Sequence, residues 1–178
     1  MSNIIELAKR NADEISGIVD NLVEQELEEA VNDIKDKKNV FFSGMGRSGS
    51  MCRALAIRFM HLGFNTYVAG EPSTPAIQKN DVLIATTSSG KTKITLNHME
   101  KANEVGAEVI LITSQGQDLK QADITITIPA KTKVQSAQHA GSLFEQSVLV
   151  VGDAIAAELQ RVNNVSTEYM NERHANLQ

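Results

Sequence analysis

Tryptophan is absent from the 178 residues, and the other aromatics bring that class to only 4%. Base-stacking platforms for single-stranded nucleic acid need such rings, so that class of binder is disfavoured. A single cysteine, Cys52, excludes a disulfide framework and a multi-cysteine zinc site. No proline precedes Pro72, so nothing in the first part of the chain forces a helix to break. Long apolar runs are missing too, and none approaches the roughly 18 residues of a membrane helix. Glu6, Lys9, Arg10, Asp13 and Glu14 interrupt the N-terminal apolar positions, which therefore do not read as a signal peptide. Positive charge is also scarce: 17 Lys and Arg face 22 Asp and Glu, a net charge of -5 with no dense basic run. That balance speaks against a non-specific nucleic-acid partner. No membrane partner is expected, and the cytoplasm is the default location.

What remains is a chain that is 42% hydrophobic and 22% charged, enough to close one sizeable core. One domain over residues 1–178 is expected, with a helical segment at 1–38 and a helical tail at 163–178. Ile4, Ala8, Ile15, Val19 and Leu22 recur at helical spacings, and Leu27, Val31 and Ile34 continue the stripe. The pattern predicts two helices, or one bent one, outside the main sheet. Short β-branched runs follow at Asn39–Phe42, Thr66–Ala69, Val82–Thr86, Val109–Thr113 and Ile124–Ile128. Helical patterns separate or follow them over Ser50–Leu62, Lys93–Val105 and Ser142–Leu159. Strands alternating with helices imply βαβ units and an α/β fold with a mostly parallel sheet.

Two loops each follow a strand and open a helix, where backbone N–H groups and the positive helix end converge on an anion. Gly44-Met45-Gly46-Arg47-Ser48-Gly49 fits G-x-G-x-x-G, and Glu71 lies about where a ribose-binding acid belongs. A dinucleotide site is thus open, as is a ligand-free turn. Yet Arg47, Ser43, Ser48 and Ser50 suit a compact phosphate. Ala85-Thr86-Thr87-Ser88-Ser89-Gly90-Lys91-Thr92 nearly matches a P-loop, with Ala85 in place of the first Gly. No later strand ends in the Asp that would hold magnesium, which disfavours an NTPase. The simpler reading is a hydroxyl-rich anion nest to which Lys91 adds charge.

The order of the Gly-Arg-Ser loop, Arg58-Phe59-Met60-His61-Leu62-Gly63-Phe64, Gly70-Glu71 and Thr74-Pro75-Ala76 resembles the sugar isomerase (SIS) domain family. Gly141-Ser142-Leu143-Phe144-Glu145 and the tail Arg173-His174-Ala175-Asn176-Leu177-Gln178 are similar to the 6-phospho-3-hexuloisomerases within it. The likeness runs over essentially the whole chain. Three segments depart from it: the phosphate loop has Lys91 where the family usually carries Glu and Thr87-Ser88 where Ser-Gly is usual, Gln138-His139-Ala140 stands where Pro-Met is usual, and Gln178 where an acid is usual. The resemblance implies a three-layer α/β/α fold with five parallel strands, preceded here by the N-terminal helices. It further implies a cofactor-free, metal-free isomerase that interconverts a 3-hexulose 6-phosphate and fructose 6-phosphate in formaldehyde fixation. A homotetramer is the usual assembly. The alternatives are a sugar-phosphate-sensing module without catalysis, or a dinucleotide-dependent enzyme.

Moving a carbonyl from C3 to C2 requires removing the C2 proton, passing through an enediol and protonating C3, which one carboxylate can do. Glu145, at the start of the last helix, is either this base or a first-turn acid that stabilises the helix; the resemblance selects the base. The phosphate is expected on Thr87, Ser88, Ser89, Gly90, Lys91 and Thr92, with Arg47 and Ser48 from the first loop. Turn and N-cap chemistry is the ordinary alternative for each hydroxyl. His174 and His61 match family positions. An imidazole at His174 could open the cyclic sugar and shuttle hydroxyl protons, or lie at an interface. His61 is carried as a catalytic position, although its place at a helix end favours packing. His98 and His139 are read as bystanders, and Cys52 as a packed thiol.

Overall fold

The computed structural model describes residues 3–114 and 119–177. Gln178 of the tail motif lies outside the described residues. Two helices come first, α1 (Ile4–Val19) and α2 (Glu24–Ile34). Asn3 opens α1 by accepting from the Ile5 N–H at 3.0 Å, one of the donors that a helix start leaves unpaired. Gly17 does not break α1. The break comes at 20–23, where the Asn21 side chain turns back to the Gly17 carbonyl at 2.9 Å.

Next come β1 (Asn39–Gly44), α3 (Gly46–His61), β2 (Asn65–Val68), β3 (Val82–Thr86), α4 (Lys93–Val105), β4 (Glu108–Thr113) and β5 (Ile124–Thr127). The long α5 (Ser142–Val162) and the short α6 (Thr167–Glu172) complete the described elements. The five strands form one parallel sheet in the order β2-β1-β3-β4-β5. Successive residues of β1 and β3 point to opposite faces. Val40, Phe42, Val82 and Ile84 face a core shared with α1, α2, α3 and α5. Phe41, Leu83 and Ala85 face a smaller one under α4. Both faces are covered, which explains why the strands read as continuous apolar runs rather than alternating ones.

The sequence pattern places the first crossover helix at Ser50, but α3 already starts at Gly46. Periodicity is blind to this first turn because Gly46, Arg47, Ser48, Gly49 and Ser50 carry no apolar side chain. Gly49 is there for close approach: a Cβ on it would lie 2.5 Å from the Gly44 carbonyl oxygen. No helix follows β2; residues 69–81 cross to β3 as turns and extended chain.

Candidate active site

The chain leaves β1 towards β2 on one side and leaves β3 towards β4 on the other, so the strand order reverses between β1 and β3. A crevice opens outside the carboxyl ends of two such strands, the usual place for a ligand in an open α/β sheet. Gly44 and Thr86 are register partners there. Both loops singled out in the sequence therefore flank one crevice.

From Gly44 the chain enters α3 through Gly46 at φ +59°, which puts Arg47 and Ser48 in the first helical turn. From Thr86 it makes the turn 87–92 before α4. The hydroxyls of Thr87 and Thr92 meet at 2.9 Å across that turn. Gly90, at φ +63°, closes it by donating to the Thr87 carbonyl at 3.4 Å. Ser89 Oγ accepts from the Lys91 N–H at 3.2 Å, and both side chains are exposed. Ser88 Oγ lies 2.9 Å from Ser114 Oγ, while the Ser114 N–H and hydroxyl both donate to the Ser88 carbonyl. Ser114 has no place in the sequence reading; its only signal there is a hydroxyl immediately after a strand.

The third wall comes from residues 128–141, which lead from β5 to α5. Glu14 of α1 anchors them, accepting from Ser136 Oγ at 2.6 Å, Gln138 Nε2 at 3.0 Å and the Ala137 N–H at 3.2 Å. Burial works to raise the Glu14 pKa, but these hydrogen bonds and the charge of Arg10 outweigh it and hold it below the usual carboxylate value. Gln138 in turn accepts from Gln146 Nε2 of α5 at 2.9 Å. Between this segment and Ser88 lies a cavity of about 210 Å³, lined also by Lys131, Gly141 and Phe144. Lys131 and Gln138 carry no sequence signal as site residues, since neither lies in a recognisable loop motif.

Glu145 sits in the first turn of α5, its N–H bonded to the Gly141 carbonyl at 3.1 Å. It is 5% exposed, and its carboxylate receives Arg47 Nε in an ion pair. The pair is lopsided: the Arg47 side chain is 71% exposed and that of Glu145 only 6%. A buried carboxylate at a helix N-terminus, paired with a side chain of the loop that leaves β1, has the chemistry to exchange a proton with a ligand. Arg47, expected on the phosphate, pairs here with Glu145.

His61 and His174 lie elsewhere. α3 runs away from the crevice, and fourteen residues of helix separate Arg47 from His61, about 20 Å. The two imidazoles stack with centroids 5.2 Å apart and a 20° interplanar angle. Burial first, then the charges of His174, Arg58 and Arg173, keep the His61 pKa below its ordinary value. Arg173 Nε donates to the Met60 carbonyl at 2.8 Å, so the tail is docked on the far end of its own α3. Within one chain, then, the structure gathers Arg47, Ser48, 87–92 and Glu145, and leaves His61 and His174 at the opposite edge. His98, read as a bystander, lies 2.8 Å by its Nδ1 from the buried Ser43 Oγ at the end of β1. Glu71, the would-be ribose acid, is paired with Arg53 at 3.0 Å. Among the described residues, no cluster of three or more His, Cys, Asp or Glu could hold a metal, and no helix is long and apolar enough to cross a membrane.

The SIS domain family matches residues 33–157. A Bacillus subtilis protein named 3-hexulose-6-phosphate isomerase is 35% identical over 162 residues, covering 86% of this chain and 88% of its own. A Methanococcus jannaschii structure, for which a 3-hexulose-6-phosphate isomerase function has been inferred, superposes with a TM-score of 0.85. It is 30% identical and covers 97% of this chain and 99% of its own. An Escherichia coli CFT073 protein, solved in complex with a sugar phosphate, gives a TM-score of 0.80 at 25% identity, covering 98% of this chain and 100% of its own. The match takes in the sheet, both crevice loops and the Glu145 helix start, and this chain belongs to the SIS domain family.

Proposed function

We propose that the protein is a sugar-phosphate isomerase that interconverts D-arabino-hex-3-ulose 6-phosphate and fructose 6-phosphate, the second step of formaldehyde fixation. The observation that carries this is the buried Glu145 carboxylate at a helix start, paired with Arg47 of the loop after β1, whose neighbour after β3 is the hydroxyl-rich turn 87–92. The names of the relatives support the substrate, and the ligand of the Escherichia coli protein supports a sugar phosphate as the kind of molecule bound. The C6 phosphate rests on the N–H groups at the start of α4 and on the hydroxyls of Thr87, Ser88, Ser89 and Thr92, with Ser48, Lys91 and Arg47 at its rim. The sugar carbons then lie towards α5. Glu145 takes the proton from C2, the resulting enediol moves its hydroxyl proton from O2 to O3, and Glu145 returns its proton to C3. No electrons leave the sugar, so the reaction needs no redox cofactor. A homo-oligomer, expected to be a tetramer, and a cytoplasmic setting complete the proposal. The test is a coupled assay for fructose 6-phosphate. Tight binding of sugar phosphates without turnover would instead indicate a sensing module.

A further inference from the structure

We propose that Arg47 holds the Glu145 carboxylate in an ion pair until a phosphate dianion draws the guanidinium away, so that recognition of the phosphate releases the base. The proposal rests on Glu145 being the base of the isomerase reading above. Its ground is the asymmetry of the pair. Glu145 is buried and fixed in the first turn of α5, whereas Arg47 is 71% exposed on a flexible stem at the start of α3. The more mobile partner is the cation. Its competing site is near: Gly44 and Thr86 are register partners, and adjacent strands run about 4.8 Å apart, so the Arg47 turn and the 87–92 turn leave the sheet side by side. A phosphate dianion carries more charge than a carboxylate and accepts the guanidinium fork with two oxygens, so it outcompetes Glu145 for Arg47. After the swing, the N-terminal dipole of α5 still supports the Glu145 charge.

The consequence is selectivity beyond affinity. While the guanidinium occupies the Glu145 carboxylate, that oxygen is not free to take a proton, so a sugar without phosphate meets a muted catalyst even when it occupies the crevice. The change moves one salt bridge and breaks no covalent bond.

The experiment uses the phosphate-free 3-hexulose as substrate and phosphite dianion as the separate trigger. In the wild type, saturating phosphite is expected to raise kcat/KM for that sugar several-fold, because the carboxylate is freed from its ion pair. In Arg47→Ala without phosphite, the same sugar should turn over faster than in the wild type, and phosphite should add little. Were Arg47 only a phosphate ligand, its removal would leave turnover of the phosphate-free sugar unchanged; an unchanged or slower rate overturns the proposal. A second measurement needs neither turnover nor a surviving Arg47 variant. The 13C carboxyl resonance of Glu145, assigned by its loss in Glu145→Gln, should shift at fixed pH when inorganic phosphate is added to the wild type, because the carboxylate loses its guanidinium partner. No shift sinks the latch. A shift in a wild type that makes no fructose 6-phosphate would keep the latch and reject the isomerase reading.

Discussion

Glu145 and Arg47 lie 98 residues apart in the chain, and their pairing has no trace in local spacing. What the sequence does show is each member separately: an acid in the first turn of a helix, and a cation just inside a glycine loop. The hydroxyls of the turn 87–92 are legible for the same reason, because strand, turn and helix start lie in one local stretch. Lys131, Gln138 and Ser114 are not, since they reach the crevice only through the tertiary path of 128–141 and the end of β4. Substitution tests the base and the phosphate nest separately. Glu145→Gln keeps the side-chain shape and loses the base, so kcat should collapse while sugar-phosphate affinity, read by calorimetry, changes little. A variant with most of its turnover would reduce Glu145 to a helix-start acid. Ser89→Ala and Thr92→Val each remove a hydrogen bond to a charged ligand, a loss of about 1.5–3 kcal/mol in binding of phosphorylated sugars. Equal affinity of the wild type for phosphorylated and phosphate-free sugar would dissolve the phosphate nest.

Helices and strands are the most readable level, with α2, β3 and α4 falling within a few residues of their apolar patterns. The start of α3 is not, because a positive φ at Gly46 and close backbone approach at Gly49, rather than a buried side chain, select the two glycines. That difference is measurable. Alanine in place of Gly49 puts a Cβ 2.5 Å from the Gly44 carbonyl oxygen, a backbone atom that can yield only if α3 shifts off β1. At Gly152 the new Cβ meets both Leu55 Cδ atoms at 2.5 Å, and a side chain can turn. Helix propensity returns roughly 0.5–1 kcal/mol in either case, against an overpacking cost of about 1–3 kcal/mol. Urea unfolding should show Gly49→Ala to be the more destabilising of the two, and the reverse order would remove the close-approach argument for the loop. The docked tail gives a pH signature. His61 has a folded pKa below its unfolded value, so the neutral form stabilises the fold above the unfolded pKa, and this is lost as pH falls through the folded one. Stability should therefore decline on acidification below about pH 6.5, and less steeply in His61→Gln. Identical slopes would mean that His61 does not titrate with folding.

Over the whole molecule, the two functional halves of the expected site lie at opposite edges of the sheet: Glu145 at the carboxyl edge, His174 at the far end of α3. If His174 serves catalysis it must reach a crevice in a second chain. Ile4, Ile5 and Leu7 expose apolar side chains along the free end of α1, a surface that association would cover. Mixing Glu145→Gln with His174→Ala subunits, after verified exchange, should then restore part of the activity. No recovery would separate His174 from the reaction. The decisive measurement of isomerase activity supplies the purified chain with D-arabino-hex-3-ulose 6-phosphate in EDTA and follows fructose 6-phosphate through a coupled reduction. Sustained turnover is expected, abolished in Glu145→Gln without loss of ligand binding. Absence of fructose 6-phosphate from the wild type, or turnover that EDTA stops and a divalent ion restores, would contradict it.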